Sequence, residues 1–385
     1  MFIIRPVRFL FALIAMTVFI FLVSGGVAWP ESSASIIVTD AWGRKVPVPV
    51  EVSHVICSGP GCLRYLVYLQ GLDLVVGVDD MEKTRSRFDA RPYFLAHPEL
   101  RDKPLFGEFR GHDNPELIVN LAPRPDVIFK TYGEMGYDPE ELQAKTGIPV
   151  VVLNYGNLTY GRKDMYEALS IMGEVTGKTK RAQEVIKFFD RAIGDLDQRT
   201  SDIPRKERQT CYVGGIAHKG PHGFPSTEPS YPPFVFTNAR HVVLEGMTGE
   251  NRLQQVTVSR EKLLEWDPEY IFVDLATLQA GKEAGALDQL KNEPCYQILS
   301  AVREGNVYGV LPFNWYTTNH GSVLANAYFV GKVLYPERFE DLDPAEMADQ
   351  IYEFLVGKPV FEEMEGLFEN LAFTRIDLDN WDESN

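Results

Sequence analysis

The chain has 385 residues, 38 basic against 54 acidic side chains and a formal net charge of −16. That balance argues against a nucleic-acid partner, whose phosphates select a basic face. Hydrophobic residues make up 45% of the sequence, ample for two cores at this length, so a globular two-domain protein is expected.

Arg5 and Arg8 precede an apolar run over residues 9–23, which closes on Gly25, Gly26, Val27 and Ala28. This is the pattern of a secretory signal peptide cleaved before Trp29. The run is short for a membrane span, so an uncleaved N-terminal anchor is the weaker alternative. No cysteine stands near the cleavage point, which argues against lipid attachment. Without residues 1–28 the chain carries 36 basic and 54 acidic side chains, a net of −18.

The mature text opens with a hairpin, residues 36–38 and 46–50 around a turn at 40–44. A strand at 55–57 ends in Ser58-Gly59-Pro60-Gly61, and a helix follows with Leu63, Leu66, Val67 and Leu69 apolar. Further strands are expected at 74–78, stopping at Asp79-Asp80, at 127–130, stopping at Thr131-Tyr132-Gly133, and at 150–153, stopping at Asn154-Tyr155. Strands alternating with helices define a parallel sheet, whose loops at the carboxyl ends of the strands gather on one edge and form the usual ligand site.

Residues 163–200 read as the longest helical stretch. Met165, Leu169, Met172 and Val175 recur at helical spacing, and the rhythm resumes at Ala182, Ile186, Phe189, Ile193 and Leu196. Gly177, Lys178 and Thr179 mark a break, so two collinear or slightly kinked helices are expected. Beyond them the earlier grammar returns. Asn114-Pro115-Glu116-Leu117-Ile118 leads through Pro125-Asp126 into the strand at 127–129, and Ser259-Arg260-Glu261-Lys262-Leu263-Leu264 leads through Asp267-Pro268-Glu269 into the strand at 270–273. Both are a capped helix, a proline-acid turn and a buried strand, which argues for structural duplication. The fold class that follows is α/β, with two lobes, each a mainly parallel sheet flanked by helices. A long helix joins the lobes and a ligand cleft lies between them. The expected divisions are an N-terminal lobe over 29–162, the helical connection over 163–200, and a C-terminal lobe over 201–385 whose acidic tail from Glu362 onward is expected to fray.

The four cysteines, Cys57, Cys62, Cys211 and Cys295, are too few and scattered for a disulfide framework. Cys57 and Cys62 have a spacing open to a disulfide, to soft-metal ligation or to buried thiols, and no chemistry is assigned to them.

The text resembles the periplasmic substrate-binding proteins that serve ABC importers of iron-siderophore, haem and cobalamin, in which one long helix joins two α/β lobes. The matching stretches are Ile37-Val38-Thr39-Asp40-Ala41-Trp42-Gly43-Arg44, residues 116–129, Thr146-Gly147-Ile148-Pro149-Val150, Met172-Gly173-Glu174-Val175-Thr176-Gly177-Lys178, and residues 261–273. The resemblance implies limited hinge motion, a periplasmic location, docking of exposed acids on an inner-membrane permease, and no enzymatic activity. Glu134 and Glu140 are candidate docking acids.

Two loops stand out. Residues 214–225, continuing through Tyr231-Pro232-Pro233-Phe234, follow the strand at 211–213, and they carry His218, Lys219 and His222 on a backbone shaped by glycine and proline. Asn314-Trp315-Tyr316, with His320, follows the strand at 307–311 and offers aromatic stacking. On the first lobe, residues 106–112 are also expected at the cleft. Arg64, Arg110, His112, Tyr132, Tyr155, His218, Lys219, His222, Trp315 and Tyr316 thus form a basic and aromatic ligand-binding set, suited to an anionic, partly flat ligand.

There is no Gly-x-Ser-x-Gly elbow, no His-Glu-x-x-His helix and no phosphate-binding glycine loop with its lysine. A zinc hydrolase using His112, His218 and His222 would need ligands converging across two lobes. The expectation is a monomeric exported binding protein, with no catalytic residue, no cofactor and no metal ligand of its own, that captures a metal chelate, foremost a ferric siderophore, for a permease. Direct transition-metal binding and haem or corrinoid binding are the alternatives.

Overall fold

In the computed structural model the described residues are 34–84, 86–247 and 255–381. The expected signal peptide lies outside them. Strands β1 (Ser35–Thr39) and β2 (Lys45–Pro49) pair antiparallel, as the alternating valines and isoleucines predict. Asp40 organises the turn: its carboxylate accepts from the amides of Trp42 and Arg44, both at 3.0 Å. It also accepts from the Val152 amide at 3.2 Å, which pins the hairpin to the neighbouring sheet.

The first lobe continues through β3 (Val55–Ser58), α1 (Cys62–Tyr68), β4 (Val78–Asp79), α2 (Pro92–Ala96), β5 (Leu105–Glu108), β6 (His112–Asp113), α3 (Pro115–Val119), β7 (Val127–Thr131), α4 (Pro139–Thr146) and β8 (Val150–Leu153). Its sheet runs β3-β7-β8, parallel throughout. Ile56, Ile128 and Val150 face a core with Phe106, Ile118 and Leu142. Val55, Cys57, Val127, Phe129 and Val151 face the other core, beneath α1. Both faces are covered, which is why these strands read as unbroken apolar runs. The strand expected at 74–78 is divided. Leu72–Leu74 forms a 3₁₀ turn, Val75 makes one bridge to Val55, and only β4 pairs onward, with β5 of a second small sheet. One apolar stretch thus serves two sheets.

The 163–200 stretch requires a correction. Helices α5 (Arg162–Val175) and α6 (Thr179–Thr200) are not collinear. The Tyr166 hydroxyl donates to Asp190 at 2.8 Å, a contact between residues placed symmetrically about Lys178, so the helices fold back as an antiparallel hairpin. Gly173 permits the close approach, since a Cβ there would stand 2.8 Å from that of Ala182. Helix α6 runs 22 residues and is about 33 Å long.

The second lobe holds β9 (Thr210–Gly214), β10 (Ser226–Thr227), α7 (Pro232–Phe236), β11 (Arg240–His241), α8 (Val242–Gly246), β12 (Val256–Thr257), α9 (Arg260–Trp266), β13 (Tyr270–Asp274), α10 (Ala286–Asn292), α11 (Pro294–Gln297), α12 (Ser300–Arg303), β14 (Val307–Val310), α13 (His320–Leu334), α14 (Pro344–Val356) and α15 (Phe361–Leu367). Its sheet runs β11-β9-β13-β14, again parallel. The duplicated grammar has a structural counterpart: β7 and β13 each lie between parallel neighbours, preceded by α3 capped by Asn114 and by α9 capped by Ser259.

The acidic tail does not fray over its described part. Phe368, Ala372, Ile376 and Trp381 are buried, and residues 372 and 375 bridge to β14. Apolar side chains spaced along the tail outweigh its charge. Helix α14 reaches back to the first lobe, where the Val356 carbonyl meets His97 Nε2 at 2.8 Å.

Candidate functional site

The loops that leave the carboxyl ends of the strands converge on a cavity of about 460 Å³. Pro60 follows β3, Met81 follows β4, Phe109 and Arg110 follow β5, and Tyr132 and Met135 follow β7. From the second lobe come residues 217–221 after β9, Gln279 after β13, and residues 314–317 after β14. Parallel sheets place ligand-binding loops at this edge, so the two sheets face each other across one site. Among its lining residues Arg110, Lys219 and His218 supply positive or protonatable groups, and there is no carboxylate. Phe109, Tyr132, Trp315 and Tyr316 supply aromatic surface.

The loop 314–318 is stitched to the first lobe. The Tyr132 hydroxyl and Thr317 Oγ1 lie 2.8 Å apart. The Tyr316 hydroxyl donates to Asp79 Oδ2 at 2.7 Å and accepts from the Arg110 amide at 3.3 Å. Beneath it, buried Arg64 donates to the carbonyls of Thr318 at 2.9 Å and Trp315 at 3.2 Å, and to the Tyr155 hydroxyl. Gly61 permits the close approach, because a Cβ there would fall 2.2 Å from the Tyr155 ring and 2.7 Å from Thr317. Burial and the adjacent charge of Glu82 push the Asp79 carboxyl up to about 7. Burial and the Asp79 charge together push the Tyr316 phenol up as well. Lys130, fully buried, donates to Asp113 at 2.6 Å and to the Gly111 carbonyl at 3.0 Å, anchoring the turn that carries Arg110.

Twelve described non-glycine residues have a left-handed backbone, and five of them, Arg110, Tyr132, Lys219, Tyr316 and Thr317, line this cavity. Each such conformation costs about 1–3 kcal/mol and persists only where surroundings impose it, which is typical of ligand clamps.

Of the ten residues singled out from sequence, Arg110, Tyr132, His218, Lys219, Trp315 and Tyr316 lie together on the cavity wall. Arg64 and Tyr155 form the layer below, with Tyr155 stacked on Tyr65 at 4.7 Å and on Tyr132 at 5.9 Å. His112 and His222 are placed elsewhere. Asp113 is turned onto Lys130, and His112, exposed, lines a separate cavity with Glu116 and Tyr137. His222 Nε2 meets the His218 carbonyl at 2.8 Å and its own carbonyl accepts from Thr277, so it braces the loop. His320 is buried against Tyr65 and Tyr155, and burial holds its imidazole down at about 3. Met81, Met135 and Gln279 escaped the sequence reading, since nothing in their local text marks them. Among the described residues no group of three or more His, Cys, Asp or Glu side chains is arranged to hold a metal ion.

The fold and this interlobe cavity define a protein that holds a solute between two α/β lobes. The chain belongs to the periplasmic binding protein family, whose model matches residues 75–312. It is a binding protein and not an enzyme. It is 23% identical over 340 residues to the molybdate-binding protein MolA of Haemophilus influenzae, covering 82% of this chain and 90% of that one. The iron-uptake system-binding protein of Bacillus subtilis is 23% identical over 206 residues, covering 50% of this chain and 57% of that protein. Among solved structures, a periplasmic solute-binding protein of Veillonella parvula superposes with a TM-score of 0.66 at 17% identity, covering 87% of this chain and 97% of that one. Molybdate-bound MolA gives 0.62 at 21% identity, covering 84% and 98%. These likenesses agree with the observed fold. Among the described residues no helix is long and apolar enough to cross a membrane.

Proposed function

We propose that this protein captures an anionic metal chelate, foremost a ferric siderophore, in the periplasm and delivers it to an ABC permease of the inner membrane. The observation that carries the reading is the lining of the interlobe cavity: Arg110, Lys219 and His218 beside four aromatic rings, with no carboxylate, in a chain of net charge −16. Guanidinium and ammonium groups suit the oxyanions of a chelate, and the rings suit its conjugated faces. The volume, about 460 Å³, falls in the range of small-molecule sites. The chelator would hold the metal.

A bare oxyanion is the second reading, favoured by the extensive match to a molybdate-binding protein. The two differ in what they ask of the aromatic wall, which a small tetrahedral anion does not need. The test is native mass spectrometry of protein purified from its source, followed by thermal denaturation with ferric siderophores, haem, corrinoids, molybdate and free divalent metals. A ligand present at 100 times its Kd adds about 2.7 kcal/mol to the folded state. Stabilisation by ferric chelates alone is the expected result. Stabilisation by molybdate alone, or by a free divalent metal alone, overturns it.

A further inference from the structure

A second cavity, of about 400 Å³, adjoins the first. The two share Tyr132, Ala217, His218, Asn314 and Thr317, so the hydrogen bond between Tyr132 and Thr317 stands at their common wall. Their chemistry differs. The second is lined by Asn157, Thr159, Ser230, Gln255 and Thr318, which offer amides and hydroxyls, and by one carboxyl, Glu228. No described lysine or arginine lines it. Among the described residues no ion pair is made by the Glu228 carboxyl, and burial pushes it up to about 7. A half-buried carboxyl left without a cation is costly, and a cationic group brought to it would be held more firmly than in water.

We propose that this cavity is a subsite for a protonated amine on an arm of the bound chelate, with Glu228 as its acceptor, while the anionic metal-binding part lies against Arg110 and Lys219. This deepens the chelate reading and rests on it: the ligand becomes an amphoteric chelate, negative at the metal and positive at one arm. Nothing in the first cavity calls for such an arm. The second cavity does: Glu228 is its one carboxyl, and the other titratable groups that line it are the phenols of Tyr132 and Tyr160 and the imidazole of His218, none of them a fixed cation. Binding the ammonium holds Glu228 ionised, so a proton leaves the carboxyl on binding below pH 7 and affinity for the amine-bearing ligand rises with pH up to that point.

The probes are two ferric catecholates, one built on 4-(2-aminoethyl)catechol and one on its N-acetylated counterpart, compared by isothermal titration at pH 8 and pH 6. In the unaltered protein the amine form is expected to bind roughly tenfold or more tightly than the acetylated form at pH 8, the size of one charge-assisted hydrogen bond, with a smaller ratio at pH 6. Glu228→Gln is expected to bring the ratio near one, and its melting temperature reports whether the variant is folded. Equal binding of the two chelates to the unaltered protein overturns the subsite and leaves the chelate reading standing. A ratio that persists in folded Glu228→Gln also overturns it. Failure of both chelates, with molybdate bound, overturns the subsite and the chelate reading together.

Discussion

Arg110 and Lys219 approach the same cavity from opposite lobes, each on a left-handed backbone that a side chain adopts only at a cost. If they hold the oxyanions of the ligand, Arg110→Ala and Lys219→Ala should each weaken ferric-chelate binding by roughly tenfold or more. His222 braces its loop and does not line the cavity, so His222→Ala should weaken binding far less. Isothermal titration with a ferric catecholate separates the three, and a loss at His222 equal to that at Arg110 would reject the arrangement. Asp79 gives a second prediction, in pH. Its carboxyl titrates at about 7 when folded, raised by burial and by Glu82 from an ordinary 3.8. The folded state then holds the proton more tightly than the unfolded chain. The residue's contribution to stability is full below about pH 4 and is lost as pH rises to about 7. Urea midpoints measured across that window should fall with pH by more in the unaltered protein than in Asp79→Asn. Equal slopes would rule Asp79 out as their source.

At the scale of elements, the penultimate residue of β7 is a buried lysine, Lys130, whose amine serves three acceptors: Asp113 on β6, the Gly111 carbonyl and, at 3.3 Å, Ser58 on β3. That junction supports the turn that presents Arg110. Lys130→Met leaves the Asp113 charge buried without its partner and should cost about 3–5 kcal/mol. Adding Asp113→Leu should recover much of the loss, because the uncompensated charge is then gone as well. Guanidinium unfolding of the single and double variants checks both steps, and an additive double variant would mean that the pair is not coupled. The corresponding support of the second lobe is Asn326 of α13, which accepts from the Leu311 amide at 3.0 Å and donates to its carbonyl at 2.8 Å. It fixes the end of β14 just before the aromatic loop.

For the whole molecule, the lobes are tied by more than α6. Helix α13 is buried along most of its length, and α14 contacts the first lobe through the Val356 carbonyl at His97. Arg181 of α6 donates to the Tyr68 carbonyl at 3.0 Å and to the Phe354 carbonyl, joining three helices. Rigid-body opening would break these contacts together. Ligand binding should therefore leave the radius of gyration within about 1 Å of its ligand-free value, and small-angle scattering with and without a ferric chelate tests this; a larger contraction would show a hinge. Glu134 and Glu140 are exposed on the first lobe. If they dock on the permease, charge reversal at both should depress uptake in cells while chelate affinity in titration holds. A fall in affinity would instead place them in the pocket.

Local text carried a large part of this protein. The strands at 127–131, 150–153 and 270–274 are buried on both faces, and continuous burial writes continuous apolar sequence. The caps Asn114 and Ser259 act within three residues of themselves, so their helices were legible as well. Five cavity-lining residues, Tyr132, His218, Lys219, Trp315 and Tyr316, could be found because each follows an expected strand end, and strand ends are local; Arg110 was legible through the helix that its segment precedes. Other features depend on contacts distant in sequence. The turn at Gly177 reads alike for a kink and for a hairpin, and the choice fell to the packing of Gly173 on Ala182 and the bond from Tyr166 to Asp190. The tail looks like a solvated acid run until Phe368 and Ile376 meet the core. His112 and Asp113 are neighbours in sequence, but only the buried amine of Lys130 determines which of them turns inward. Glu228 reads as one acid among 54, and its isolation in a polar cavity arises when loops from both lobes close around it.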